Sequence, residues 1–235
     1  PAIAAKLATI KNIIGPGIKN QKKWLTNKNF LTNEDYQNLD YSEQSKKMLE
    51  INGYKVFETK PSLFIKKESL IALEPKINLN DKKIVSFGVD SFEIYKMWFE
   101  KNFAELANQL NNENLATKIY LIASPQNKYM VEKIKNLSGR DIFFDCSGLN
   151  LLQVIKVIKN SHYFVGNNSG PLNLASALGT KAFGLIANSR VSELQNSNVI
   201  PILPDDYGDE FIKDRAIMNK LSIRTVFNQI KNNLV

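Results

Sequence analysis

From residue 83 onward the chain alternates short apolar runs with longer helical patterns, the sequence mark of a parallel β-sheet wrapped by helices. The runs of strand length are 83–89 (KIVSFGV), 117–123 (TKIYLIA), 141–145 (DIFFD), 162–166 (HYFVG) and 181–187 (KAFGLIA). A weaker run follows at 198–204 (NVIPILP), where Pro201 confines the strand to an edge or an end because proline donates no ladder hydrogen bond. Helices are expected at about 92–110, where Trp98, Phe99, Phe103, Leu106 and Leu110 recur at helical spacing, and then at 127–137 and 149–159. The tail at about 223–234 reads as an amphipathic helix.

The first eighty residues are less regular: a helix at 2–7, a strand and turn at 12–17, a lysine- and asparagine-rich loop, and a helix at 42–51 ended by Gly53. This is too little βα alternation for a self-sufficient doubly wound domain. Polar residues at 79–82 mark a boundary before the first strong strand. The expected organisation is therefore 1–80 as the tail end of an N-terminal domain with its linker, 81–220 as a Rossmann-like α/β domain, and 221–235 as a C-terminal helix.

Composition narrows the chemistry. A single cysteine, Cys146, excludes an internal disulfide and a multi-thiolate metal site, and the single histidine, His162, makes metal catalysis unexpected. No run approaches the roughly 18 apolar residues of a membrane span, and the amino terminus lacks a signal-peptide core, so a soluble, cytoplasmic protein is expected. The net charge of +8 favours anionic partners, and most of it lies early: residues 1–83 hold fifteen lysines against nine acids, a net of +6. Arginines are few and aromatics are not interleaved with the lysines, so the excess reads as a solvated surface and no nucleic acid is expected as a partner.

Residues 166–179, GNNSGPLNLASALG, form a strand-to-helix turn that can hold phosphate. Gly166 permits a sharp exit from the strand, Gly170 allows close backbone approach, and Pro171 suits the first helical position, where its missing N–H is no loss. Ser169 adds a hydroxyl and a backbone donor at the positive end of the helix. The same residues serve equally well as a capped helix start, and the pattern alone does not choose. Neither a Walker lysine nor GxGxxG spacing is present, which argues against a P-loop NTPase and a standard nicotinamide fold.

The segment VGNNSGPLNLASALGT, preceded by LNLLQVIKVIKNSHYF, resembles the signature of glycosyltransferase family 9, the ADP-heptose:lipopolysaccharide heptosyltransferases, whose pattern is close to GNDSGPxHLAAALG. SFGVDSFEIYKMWFEKNFAELANQL is similar to the family's K-x-W segment, IMNKLSIRTVFNQIKNNL to its closing helix, and YSEQSKKMLEINGYK to the helix before its interdomain linker. The resemblance implies a GT-B architecture of two Rossmann-like domains, with this chain holding mainly the C-terminal, donor-binding one. The family's acceptor site and catalytic aspartate belong to the start of the fold. The chain opens at Pro1 and enters late in that domain, so it is expected to be a fragment or a protein without its acceptor half, with the catalytic base outside it.

The implied activity is metal-independent, inverting transfer of a heptose-like sugar, without a cofactor, from a nucleotide-diphosphate donor to lipopolysaccharide or another cell-envelope glycan. A lipid-linked glycan acceptor and peripheral contact with the inner face of the membrane go with it. The alternative is an inactive nucleotide-sugar-binding homologue or an isolated donor-binding fragment. By the resemblance, Lys96 contacts donor phosphate, Ser169 and Gly170 supply phosphate contacts, and Trp98 reads as core. Asn168 stands where the family usually has aspartate and Asn173 where it often has histidine, so both offer hydrogen bonds without a carboxylate or base. Gln126 or Asn127 takes the place of the family's ribose-binding glutamate, and Asn188 with Ser189 ends the next strand. His162 reads as structural, Cys146 as inert, and Asp90 and Glu93 as solvating caps of the following helix.

Overall fold

The computed structural model describes residues 2–17, 19–39, 41–57, 60–66, 83–194, 197–208 and 212–234. The chain divides into two compact units, Pro1–Lys60 and Pro61–Val235. The boundary expected at 79–82 lies outside the described residues.

The first unit contains α1 (Ala2–Leu7), a 3-10 segment at Lys19–Trp24, α2 (Asn33–Asn38) and α3 (Tyr41–Glu50). No strand forms at 12–17, contrary to expectation: among the described residues, Ile13 N and Gly15 N bond to side chains and only Ile13 O pairs with backbone, at Thr26 N, so no ladder develops. Ile13 N donates to Thr26 Oγ1 at 2.8 Å and Gly15 N to Asn27 Oδ1 at 3.2 Å. The short α2, which the lysine- and asparagine-rich loop conceals, is set by a capping box. Asp35 N donates to Thr32 Oγ1 and Thr32 N to Asp35 Oδ2, at 3.1 and 2.8 Å. Gly53 follows α3 with φ of 85°, as a helix-ending glycine does.

The second unit is a six-stranded parallel sheet: β1 (Ile84–Gly88), β2 (Lys118–Ile122), β3 (Phe143–Asp145), β4 (Tyr163–Asn167), β5 (Ala182–Leu185) and β6 (Val199–Ile202). The order is β3-β2-β1-β4-β5-β6, so the chain reverses its direction of winding between β1 and β4. That switch point is where ligands of open α/β sheets bind, beyond the carboxyl ends of the strands. β6 lies at the edge, with Pro201 opposite Gly184, as the proline requires.

Among the described residues five helices cover the sheet: α4 (Glu100–Asn112), α5 (Lys128–Ser138), α6 (Leu151–Asn160), α7 (Gly170–Ala177) and α8 (Ile223–Leu234). The two-residue period of the strands separates two cores. Val85, Phe87, Tyr163, Val165 and Phe183 pack with Phe103 and Leu106 of α4, Val131 of α5 and Val226 and Ile230 of α8. Ile84, Tyr120 and Phe164 pack on the other face with Val157 of α6 and Leu172 of α7. Each such side chain contributes about 1.5–3 kcal/mol by leaving water. Trp98 is core, as expected, with its ring edge-on to Phe103 at 5.1 Å and its Nε1 donating to Leu221 O at 3.0 Å.

Two expectations are corrected here. The helix expected from 92 begins only at Glu100, and residues 89–99 form an irregular loop with a 3-10 turn at Ile94–Lys96. Side chains of other loops take up the backbone groups of this segment, as the site shows, and a continuous helix would forfeit those bonds. Gly166 is no exit from a strand either. It sits inside β4, paired with Gly88 of β1, and a Cβ there would lie 2.7 Å from Gly88 O and 2.8 Å from the Phe164 ring.

Candidate functional site

Three asparagines stitch together the loops beyond the carboxyl ends of β1, β4 and β5. Asn167 is completely buried; its Nδ2 donates to Val89 O and its Oδ1 accepts from Trp98 N, both at 2.9 Å. Asn168, also buried, donates from Nδ2 to Ser189 Oγ at 3.1 Å. Asn188 donates from Nδ2 to Tyr95 O, while its own carbonyl accepts from Ile212 N at 3.1 Å. An amide side chain both donates and accepts without charge, so it can bridge buried backbone where a carboxylate would carry a large desolvation penalty.

Tyr207 braces the same edge: its hydroxyl donates to Ser189 O at 2.7 Å and accepts from Val191 N at 2.8 Å. Arg215 holds the segment after Lys96, with Nε 3.0 Å from Met97 O, Nη2 3.5 Å from Glu100 Oε2, and its guanidinium 4.5 Å over the Phe99 ring. No sequence signal pointed to Asn167, Tyr207 or Arg215. Asn167 could have been suspected only from its place inside the turn.

Ser169 is the N-cap of α7, in extended conformation, yet its hydroxyl makes no capping bond. Its Oγ is buried without a hydrogen-bond partner, a state that has an energetic cost unless a ligand satisfies it. Gly170 is the first helical residue, and a Cβ placed on it would meet nothing within 4 Å. Pro171 therefore takes the second helical position rather than the first, still within the turn whose N–H groups lack helical partners. The result is an open, donor-rich helix start with an unpaired hydroxyl at the switch point.

Lys96 lies in the 3-10 turn beyond β1, with its ammonium 2.8 Å from Glu93 Oε2. The Tyr95 hydroxyl also donates to Glu93. Lys96 above all, then Tyr95, hold the Glu93 carboxyl below the usual carboxylate range. Residues 4–201 match the profile of glycosyltransferase family 9 (heptosyltransferase). The chain belongs to that family.

Solved structures show the same fold. E. coli ADP-heptose lps heptosyltransferase II superposes with a TM-score of 0.75 at 16% identity, over 98% of this chain and 72% of the other. E. coli heptosyltransferase WaaC with ADP gives 0.73 at 16%, over 99% and 70%. A family 9 glycosyltransferase from Veillonella parvula gives 0.69 at 16%, over 90% and 64%. No curated protein matches the chain by sequence. The fold is thus that of a GT-B-type, heptosyltransferase-like glycosyltransferase, a six-stranded parallel sheet flanked by helices.

Within this family 9 domain the residues singled out from sequence occupy four neighbouring loops. Asn168, Ser169 and Gly170 follow β4, Lys96 follows β1, Asn188 follows β5, and Gln126 follows β2 in the 3-10 turn Pro125–Asn127. Asn188 is bonded to the Lys96 loop through Tyr95 O, and Asn168 to the β5 loop through Ser189. Gln126 and Asn173 are exposed. Asp90 and Glu93 do not cap the following helix, as had been expected. Asp90 is buried and reaches sideways, its Oδ2 accepting from Ser124 N at 2.7 Å and Asn127 Nδ2 at 3.2 Å, so it ties the β1 loop to the β2 loop.

His162 immediately precedes β4 at the amino end of the sheet, away from these loops, with Nδ1 3.3 Å from Ile84 O. Cys146 is fully buried, and burial pushes its thiol far up, so it stays protonated. Among the described residues no group of three or more His, Cys, Asp or Glu is placed to hold a metal ion, and no helix is long and apolar enough to cross a membrane.

Proposed function

We propose that this chain is the donor-binding part of a glycosyltransferase that moves a heptose-like sugar from a nucleotide-diphosphate donor to lipopolysaccharide or another cell-envelope glycan. The observation that carries this reading is the start of α7, where the buried, unpartnered Ser169 Oγ and open Gly170 stand at the β1/β4 switch point. The ADP named with heptosyltransferase WaaC, which shares this fold, supports a nucleotide of the same kind here. The Ser169 hydroxyl and the first-turn N–H groups of α7 bind the diphosphate. Lys96 offsets the charge that grows on it as the glycosidic bond breaks. Asn168 orients the sugar, while Gln126 and Asn188 line the nucleotide side.

Transfer proceeds with inversion and without a metal, since lysine and helix dipole do the work of a cation at the leaving group. Asn168 and Asn173 are neutral amides, so the base that takes the acceptor's proton comes from beyond this site. Residues 1–80 belong to the acceptor side and 81–220 to the donor side, with 221–235 as the closing helix. The acceptor is lipid-linked, which brings the protein to the inner face of the membrane. Calorimetric titration with ADP tests the reading: Lys96→Ala should weaken binding roughly 10- to 100-fold, the loss of one charge-assisted contact. Equal affinities would remove Lys96 from the site.

The asparagines at 168 and 173 favour a second reading, a homologue that binds nucleotide sugar without turning it over. ADP-sugar binding with no ADP release, in the presence of acceptor glycan and the full-length protein, would select it.

A further inference from the structure

The turn that carries Lys96 contains a charge pair whose two ends differ in exposure. The backbone around Lys96 is pinned by three other loops. Tyr95 O accepts from Asn188, Met97 O accepts from Arg215 Nε at 3.0 Å, and Trp98 N donates to Asn167 Oδ1 at 2.9 Å. The Lys96 side chain is only 13% exposed, whereas its partner Glu93 is 42% exposed. Glu93 makes no side-chain cap bond to the turn it precedes, and it stands between fully exposed Phe92 and exposed Ile94. Lys213 acts on the same carboxylate electrostatically, and its neighbour Ile212 is bonded to Asn188 O.

A largely covered ammonium whose carboxylate partner, bonded also by the Tyr95 hydroxyl, stays open to solvent is not the arrangement of a structural ion pair buried at both ends. It is that of an anion site occupied from within. We propose that Glu93 is an internal stand-in for the donor's diphosphate, neutralising Lys96 in the ligand-free chain and giving way when a nucleoside diphosphate enters between Lys96 and Lys213. This rests on the reading of Lys96 as a diphosphate contact. The exchange is downhill because an ion pair with its carboxylate end open to water is weak, while a diphosphate brings more charge and several acceptors to the same ammonium. The functional result is a moderated affinity: Glu93 competes for Lys96 and hastens release of the nucleotide product.

The test is calorimetry of ADP and of adenosine with the full chain and its Glu93→Gln, Lys96→Ala, Lys213→Ala and Glu93→Gln/Lys96→Ala variants. Glutamine keeps the size of the side chain and its acceptor for Tyr95. Glu93→Gln should tighten ADP about three- to tenfold, leave adenosine unchanged, and lose its advantage when Lys96 is absent. Lys213→Ala should weaken ADP severalfold. An ADP affinity of Glu93→Gln equal to or below that of the parent chain, or a gain that persists without Lys96 or extends to adenosine, overturns the exchange and leaves the nucleotide site standing. Failure of the parent chain and of every variant to bind ADP removes the nucleotide site itself, and this proposal with it.

Discussion

Two buried polar residues of the sheet illustrate opposite outcomes of the same rule. Asn167 satisfies two backbone groups that nothing else reaches, Val89 O and Trp98 N. Asn167→Ala strands both in a water-free region and should destabilise the fold by about 2–4 kcal/mol, measured by urea denaturation. Ser86 sits in β1, equally buried, with a hydroxyl that has no partner. Ser86→Ala deletes an unpaired polar group and should be neutral or stabilising by up to about 1 kcal/mol in the same assay. The side chains differ less in polarity than in what their surroundings return to them.

At the scale of elements, the glycines around β4 separate packing from ligand access. Gly88 and Gly166 face each other across the switch point, with the buried Phe164 ring lying over both. Gly166→Ala would press a methyl into a carbonyl oxygen and an immobile ring, and should destabilise by about 1–3 kcal/mol or more. Gly170 opens α7 into empty space at negative φ. Gly170→Ala should leave the unfolding free energy from urea denaturation within about 0.5 kcal/mol of the parent, yet weaken ADP in calorimetry, because the methyl takes room a phosphate needs. A variant in which ADP affinity is unchanged would move the diphosphate off the α7 start.

At the scale of the molecule, ion-paired carboxylates link stability to pH. Asp35 is held below its ordinary pKa chiefly by its bond to Lys47, Glu93 by Lys96 and Asp206 by Lys220. A carboxyl whose folded pKa is depressed stabilises above the unfolded pKa, and that contribution disappears as pH falls through the folded one. The urea midpoint should therefore decline as pH drops below about 4, the ordinary carboxylate range, and high salt should reduce most the contribution of the exposed Asp206–Lys220 pair at neutral pH.

Much of this was written into the chain. Among the described residues, periodicity identified the strands of the second unit within a few residues, because a sheet buried between helices demands apolar runs, although the first wrapping helix begins eight residues later than its spacing implied. The turn at 166–170 and the family it resembles were readable as well, since a helix start built from Gly, Asn, Ser and Pro is a local pattern. The irregular loop at 89–99 was not, because its apolar residues keep helical spacing while its backbone is claimed by Asn167, Asn188 and Arg215, far away in sequence. Nor was the strand-like segment at 12–17, diverted by Thr26 and Asn27. Local pattern determined the elements, their order and the Gly-, Asn-, Ser- and Pro-rich turn that opens α7. Only tertiary structure decided which asparagine bridges backbone and why Gly166 has no side chain, because each is a contact between parts that the sequence holds apart.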